Sequence, residues 1–426
     1  MTRTVLTGQM TGVFVKSSNP CSLVATPGIM KLTPLVTNKG SAPSYPTGTF
    51  YDRMEPLTSN NCQGMVFAWV PVNASMRVGT AQVNITKKQT LAPAKPRVNL
   101  HADFNNWTMV LGYGGSGVAT GADALPALQL LSDFKISPYK GVESPTLADW
   151  NKYTVPFALG SVYMDWGTPD GWLATAPRLA DSWVYIQDEP AIGSTAGIST
   201  ALTAWAATAP WVKPMLTTPL RQRDYRTSSP NYGKTVAWPA DVTAGVKIWV
   251  PVAEQLCQET WRGSGDFYPC PAEYASAGKE LWTYVSNMSH GNEGSAASGA
   301  PDLVIDRSAV EVFGFYLLAL KHDIRNLLYY NTIEGWSAFP GRDVNTNPYQ
   351  FGGWGDGLLL YPDRAKKQAY PSARLALIRE ASQWVDIIMA AGLEAEAKAL
   401  MTNSLTWNRS LAAFEALRTK ALGLLP

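Results

Sequence analysis

Trp183-Val184-Tyr185-Ile186-Gln187-Asp188-Glu189-Pro190 is the stretch from which the fold is read. Residues of strand character run into two adjacent carboxylates, and a proline stops the run. β-Branched and aromatic side chains favour a pleated, half-buried surface, and proline cannot continue a central strand. Asp188 and Glu189 are therefore expected where a buried strand gives way to a loop. In a barrel of alternating strands and helices, that edge carries the active site. Neighbouring carboxyls in unlike surroundings can titrate apart, one as an acid and one as an anion. An exposed Asp-Glu-Pro turn, or a helix start, would read the same way in isolation.

The surrounding chain supplies the context. From about residue 98 onward, strand-like and helix-like runs alternate, which argues for a βα architecture. Eight candidate strands fall at 98–104, 134–137, 161–165, 184–188, 212–217, 246–250, 281–286 and 326–331. Helical spacing of apolar residues recurs at 122–132, 194–209 and 308–322, and strongly at 371–389 and 393–424. Residues 218–244, with Arg221, Arg223 and Arg226, read as an irregular loop. Before this region, residues 1–95 show short strand-like runs separated by Pro, Gly, Asn and Ser clusters. The expectation is an α/β protein. Residues 1–95 form an N-terminal β-sandwich, and residues 96–426 form a (β/α)8 barrel with extra C-terminal helices.

Composition removes several classes of partner. The 35 Lys and Arg nearly balance the 33 Asp and Glu, so nothing points to nucleic acid or to an anionic membrane surface. No apolar run reaches the roughly 18 residues of a membrane span. The oligomeric state stays open. Four cysteines form two local pairs, Cys21 with Cys62 and Cys257 with Cys270, without metal or redox spacing. Two disulfides are the economical reading, and they imply a secreted or periplasmic protein; four separately buried thiols are the alternative. No signal peptide is visible at Met1-Thr2-Arg3-Thr4.

The chemistry on offer is narrow. Three histidines, His101, His290 and His322, lie without metal-binding spacing, so no metal and no cofactor is expected. Gly112-Tyr113-Gly114-Gly115-Ser116-Gly117 is glycine-rich but lacks a following Gly-Lys-Ser/Thr, and no nucleophile elbow occurs. What remains is carboxylate chemistry at a rim rich in aromatic and amide residues. The strand ends carry Asn105, Asn106, Trp166, Thr217, Thr218, Trp249, Asn287 and Asn331. Apolar sugar faces stack on rings while a few placed polar groups fix hydroxyls. The combination suits glycoside hydrolysis. Adjacent residues on a regular strand face opposite ways, so the chain must leave strand geometry at Asp188 for both carboxylates to reach one ligand.

Several stretches carry a family resemblance. They are Phe67-Ala68-Trp69-Val70-Pro71, Phe134-Lys135-Ile136-Ser137-Pro138, the 184–190 strand and Lys247-Ile248-Trp249-Val250-Pro251. Glu280-Leu281-Trp282-Thr283-Tyr284-Val285 and the closing Gly355-Asp356-Gly357-Leu358-Leu359-Leu360-Tyr361-Pro362 complete the set. In these the chain resembles the catalytic region of glycoside hydrolase family 123, the β-N-acetylgalactosaminidases. The resemblance implies cleavage of β-linked N-acetylhexosaminides, GalNAc preferred, by a retaining, substrate-assisted route. It makes Glu189 the general acid/base and Asp188 the residue that orients the 2-acetamido group.

Substrate-binding candidates are Trp249, Trp282, Tyr284, Asn331, Trp336 and Trp354. Of Trp282 and Tyr284, only one is expected to face inward. Trp336 and Trp354 are placed as a floor for the acetamide methyl. Asp356, between two glycines, is a turn residue or a hydroxyl acceptor. Arg374 and Arg379 are read as ion-pair anchors of the last long helix. The rivals are a glycosidase for another sugar, with a second carboxylate such as Glu334, Asp165 or Glu254, an endo-acting enzyme on a longer glycan, and a non-catalytic glycan-binding barrel.

Overall fold

The structure, a computed structural model, describes residues 2–5, 11–16, 29–58, 65–70, 75–78, 81–87, 96–104, 121–139, 148, 151–152, 155–159, 161–164, 169, 181–259, 266–291, 296–336, 343–363, 366 and 368–425. It is a mixed α/β fold built on parallel sheets. Val162–Tyr163, Ser182–Gln187, Lys213–Leu216, Ile248–Trp249 and Glu280–Leu281 pair in that order, all parallel. Thr283–Tyr284, Asn326–Tyr329, Asn99–Asp103 and Ile136–Tyr139 form a second parallel sheet in that order. The sheets meet at Trp282, where the seventh strand is interrupted. Its amide donates to the Trp249 carbonyl at 2.9 Å, and Tyr284 bridges Val252.

All eight expected strands are therefore present, shared between two sheets. Among the described residues, no ladder joins Ile136–Tyr139 to Val162–Tyr163. The rings of Tyr139 and Tyr163 meet there at 5.5 Å.

Strand alternation sorts the side chains into an inner and an outer core. Tyr139, Tyr163, Trp183, Tyr185, Met215, Ile248, Trp282, Tyr284 and Leu328 pack together on the inner face. Val184, Ile186, Leu216 and Trp249 face out against Ile198, Leu202 and Trp205 of the helix Thr195–Thr208. Leu100, Ala102, Ile136 and Leu327 pack against the helices Gly121–Asp133, Val310–Lys321 and Ala373–Ala390. Helix Val310–Lys321 is buried along its length from Val310 to Leu320, as its all-round apolar sequence requires. Helix Ala373–Ala390 starts where the Ser372 hydroxyl accepts the Leu375 amide at 3.2 Å, an N-cap.

The N-terminal strands form two sheets. Thr11–Lys16, Met65–Val70, Ile29–Thr37 and Gly48–Pro56 make an antiparallel sheet in that order. Thr2–Val5 runs parallel to Ala81–Lys87, which pairs antiparallel with Ser75–Val78. The hairpin of Ile29–Thr37 and Gly48–Pro56 buries Leu32, Leu35 and Met54 in the core that also holds Leu375 and Tyr361. Asp52 on this hairpin pairs with Arg374, Nε to Oδ1 at 3.0 Å and Nη2 to Oδ2 at 2.8 Å.

Two segments depart from the expectation. Residues 393–424 are not one helix. Glu394–Lys398 and Leu411–Leu424 flank a hairpin of Met401–Asn403 and Thr406–Trp407. Asn403 Oδ1 accepts the Leu405 and Thr406 amides, both at 2.9 Å, and this local turn outcompetes the helix. Within the supposed loop 218–244, Arg221–Arg223 pairs antiparallel with Thr235–Ala237, and Ala240–Gly245 is helical.

Candidate active site

The fourth parallel strand departs from regular geometry at its C-terminal end. Its register against Lys213–Leu216 shifts between Tyr185 and Gln187. The extra residue reverses the alternation beyond Ile186, as a bulge does. Glu189 then adopts a positive φ of 37°, which costs a side-chain-bearing residue about 1–3 kcal/mol and is held by its surroundings. Together the two irregularities bring adjacent carboxylates to one opening. Asp188 and Glu189 are both exposed, and both line a cleft of about 230 Å³.

Each carboxylate has its own donors. The Tyr185 hydroxyl donates to Asp188 Oδ1 and lies 2.9 Å from Thr217 Oγ1. Thr217 donates to the same Asp188 oxygen at 2.9 Å and accepts the Glu189 amide at 2.7 Å. Tyr284, at the end of the seventh strand, donates to Glu189 Oε1. Burial, reinforced by the Asp188 charge, holds the Tyr185 phenol well above its ordinary pKa. Burial and the Glu189 charge do the same for Tyr284. Both phenols therefore remain protonated donors, and the two carboxylates are separately oriented.

The rest of the wall comes from the seventh and eighth strands and their loops. Ser286 and Asn287 follow the seventh, and Leu328 and Tyr330 lie on or just after the eighth. Phe351 and Asp356 come from the loop beyond it. Phe351 is 56% exposed and meets Tyr330 edge to face at 6.0 Å.

Of the six substrate-binding candidates Trp249, Trp282, Tyr284, Asn331, Trp336 and Trp354, Tyr284 alone lines this cleft, and Thr217, Asn287 and Asp356 line it as well. Trp249 is fully buried on the outer face, against Trp238 at 6.4 Å. Trp282 does share the inner face with Tyr284, since residues two apart on a strand point the same way. It lies deeper, stacked on His101 at 4.7 Å with its Nε1 on Glu280 Oε1 at 2.8 Å. Trp336 is buried with Nε1 donating to the Leu360 carbonyl at 2.8 Å. Trp354 packs on Tyr349 and donates to the Lys39 carbonyl at 2.7 Å, joining the N-terminal hairpin to the loop beyond the eighth parallel strand. Asn331 closes its own turn, donating to Glu334 and accepting the Thr332 and Ile333 amides.

Of the rival second carboxylates, Glu254 and Glu334 are not part of the cleft wall. Glu254 is enclosed by the Ser289 and Ser298 hydroxyls at 3.0 and 2.6 Å, and Glu334 is tied to Asn331. Asn105, Asn106, Asp165, Trp166, Cys21 and Cys62 lie outside the described residues. Cys257 and Cys270 are joined in a disulfide. No helix among the described residues is long and apolar enough to cross a membrane.

Sequence reasoning gave no role to Tyr185, Ser286, Leu328 or Phe351. For Tyr185 and Thr217 a signal existed. Aligning the ends of the fourth and fifth strands puts Thr217 beside the carboxylate pair. For the loop residues, no spacing rule announces which of them turn inward.

No protein-family model matches the chain, and no curated protein sequence is detectably similar to it. Among solved structures it is similar to a family 123 glycoside hydrolase from Clostridium perfringens, described for the hydrolysis of glycolipid glycans. The TM-score is 0.58 at 11% identity, over 98% of this chain and 87% of that one. At that identity the likeness is one of fold, and it spans nearly the whole of this chain.

Proposed function

We propose that this chain is a glycosidase that cleaves β-linked N-acetylhexosaminides, GalNAc in preference, with retention and without a protein nucleophile. The two parallel sheets are taken as the wall of a (β/α)8 barrel and the N-terminal sheets as an accessory sandwich. The observation that carries the reading is the convergence of Asp188 and Glu189 on one cleft, each with its own phenol donor.

In this reading the acetamido carbonyl oxygen of the substrate attacks the anomeric carbon, and the bond to the leaving oxygen breaks. Glu189 gives that oxygen its proton, and Asp188 accepts the acetamide N–H as positive charge develops on the oxazolinium ring. Water then adds at the anomeric carbon, returning its proton to Glu189, and the ring reopens. The Tyr185 and Thr217 donors keep Asp188 oriented, so its charge is arranged before the step rather than during it. The Cys257–Cys270 disulfide agrees with a secreted or periplasmic setting.

The test is release of 4-nitrophenol from the β-GalNAc and β-GlcNAc glycosides by wild type, Glu189→Gln and Asp188→Asn. Turnover lost in both variants supports the assignment. Turnover that survives both moves the chemistry to other residues.

A further inference from the structure

A second group of polar side chains faces the same cleft from its eighth-strand side, and the reaction described above does not use it. Asp356 lines the cleft yet is only 4% exposed. Tyr330 lines it too, and among the described residues its buried hydroxyl has no hydrogen-bond partner. A buried phenol left unsatisfied is costly, so such a group in a cleft wall points to a ligand.

The loop carrying Asp356 is fixed from behind. Gly355 and Gly357 have φ of 75° and 67°. Arg374 donates to the Gly355 carbonyl at 2.6 Å and to that of Leu358, and Tyr329 holds the Gly357 amide at 2.8 Å. A Cβ on Gly357 would lie 2.3 Å from the Tyr330 hydroxyl oxygen. The glycine thus leaves room for that phenol. Behind Asp356, His290 Nε2 stands 3.7 Å from Oδ2, and His290 Nδ1 stands 3.4 Å from Asp302 Oδ2. The second approach is an ion-pair distance without good hydrogen-bond alignment. Burial opposes the His290 cation, but Asp302 and Asp356 outweigh it and lift its pKa to about 9. Burial raises the Asp356 carboxyl to about 7 despite His290. An anion held so marginally gains from a further donor.

We propose that Asp356 and Tyr330 form a hydroxyl-binding subsite, which selects the substrate by one ring hydroxyl of the sugar held at Asp188 and Glu189. Asp356 accepts from that hydroxyl and Tyr330 donates to it. His290 and Asp302 are positioning residues that keep the Asp356 carboxylate in place. The subsite rests on the glycosidase reading and adds the source of its sugar preference.

The experiment compares wild type, Asp356→Asn and Tyr330→Phe as full chains. It measures hydrolysis of the 4-nitrophenyl β-GalNAc and β-GlcNAc glycosides, and calorimetric binding of free GalNAc, GlcNAc and their 3-deoxy and 4-deoxy analogues. Tyr330→Phe removes one oxygen and keeps the ring, so it reports even if Asp356→Asn folds poorly. Each variant is expected to weaken binding and raise KM about tenfold or more, with kcat little changed. One deoxy analogue should lose the same factor on wild type and lose nothing further on the variants. Normal turnover with unchanged sugar affinity in both variants would overturn the subsite and leave the glycosidase reading standing. A collapse of kcat at constant KM in Asp356→Asn would also overturn it, because Asp356 would then act on the reacting atoms. If wild type neither binds the sugars nor turns over the glycosides, the glycosidase reading falls and the subsite with it.

Discussion

Replacing Asp52 by Ala perturbs the junction between the N-terminal hairpin and the loop that carries Asp356. Asp52 and Arg374 are 2% and 4% exposed. Their contact is bidentate, at 3.0 and 2.8 Å, and the Tyr361 hydroxyl donates to Asp52 Oδ2 at 2.6 Å. The substitution leaves a guanidinium in the core with only carbonyl partners, those of Leu303, Gly355 and Leu358. Removing one partner of a buried pair costs about 3–5 kcal/mol. Asp52→Ala belongs at the upper end, because the phenol also loses its acceptor. Asp52→Asn keeps one carbonyl oxygen and belongs near 3 kcal/mol by the same comparison.

Urea unfolding of wild type, both single variants and Asp52→Ala combined with Arg374→Met supplies the test. The slope should hold while the midpoint falls. The double variant should be less destabilised than the sum of its singles, since no unpaired charge remains. A second consequence follows from Arg374's grip on the carbonyls either side of Asp356. The surviving native Asp52→Asn protein should show a raised KM. A loss below about 1 kcal/mol in Asp52→Ala would refute the reasoning, because it would mean that water reaches Arg374.

Glu189→Gln should lower turnover of the responsive glycoside by about 10²–10⁴-fold, with sugar binding retained by calorimetry. Tyr284→Phe removes the donor on Glu189 and should cost about tenfold in kcat/KM. Breaking Cys257–Cys270 by a double Ala substitution frees a loop of sequence separation 13, and denaturant midpoints should show a loss of about 3 kcal/mol or less. His290 has its pKa raised from 6.5 to about 9 in the folded chain. The folded state therefore binds that proton more tightly, and its stabilisation is complete below about pH 6.5 and lost as pH rises towards 9. Unfolding midpoints of wild type should fall across that window, and those of His290→Gln should fall less.

How far the sequence could be read depended on which regularity each residue obeyed. The eight strands follow from local composition, and all eight are found within a few residues of their expected ends. The pairing of Asp188 and Glu189 at one opening rests on a bulge and a left-handed residue. Neither has a signature in the octapeptide beyond the proline that ends it. The tryptophans are less legible, because a position near a strand end gives neither face nor depth. Trp249 lies between Ile248 and Val250, which both face inward, so alternation turns it outward. Residues 393–424 carried helical periodicity because Leu400, Met401, Leu405 and Trp407 also contact the core of a helix-flanked hairpin.

The division of labour among the aromatic residues has a physical basis. Trp183, Trp205, Trp249, Trp282, Trp336 and Trp384 are fully buried and fill volume. The described cleft wall uses tyrosines instead, Tyr185, Tyr284 and Tyr330. A tyrosine anchors its ring in the inner core and presents a hydroxyl at the surface of that core, which indole does only through a donor set into its ring edge. Inward-facing positions at the upper ends of the parallel strands demand that combination, since the lower part of each ring is enclosed and the upper part meets carboxylates. Asp356 shows the same economy on a loop. It is a turn residue between two left-handed glycines and, by that same turn, a carboxyl aimed at the cleft. One conformation accommodates both sequence readings of it, and the packing of Arg374, Tyr329 and His290 around that turn gives the carboxyl its direction.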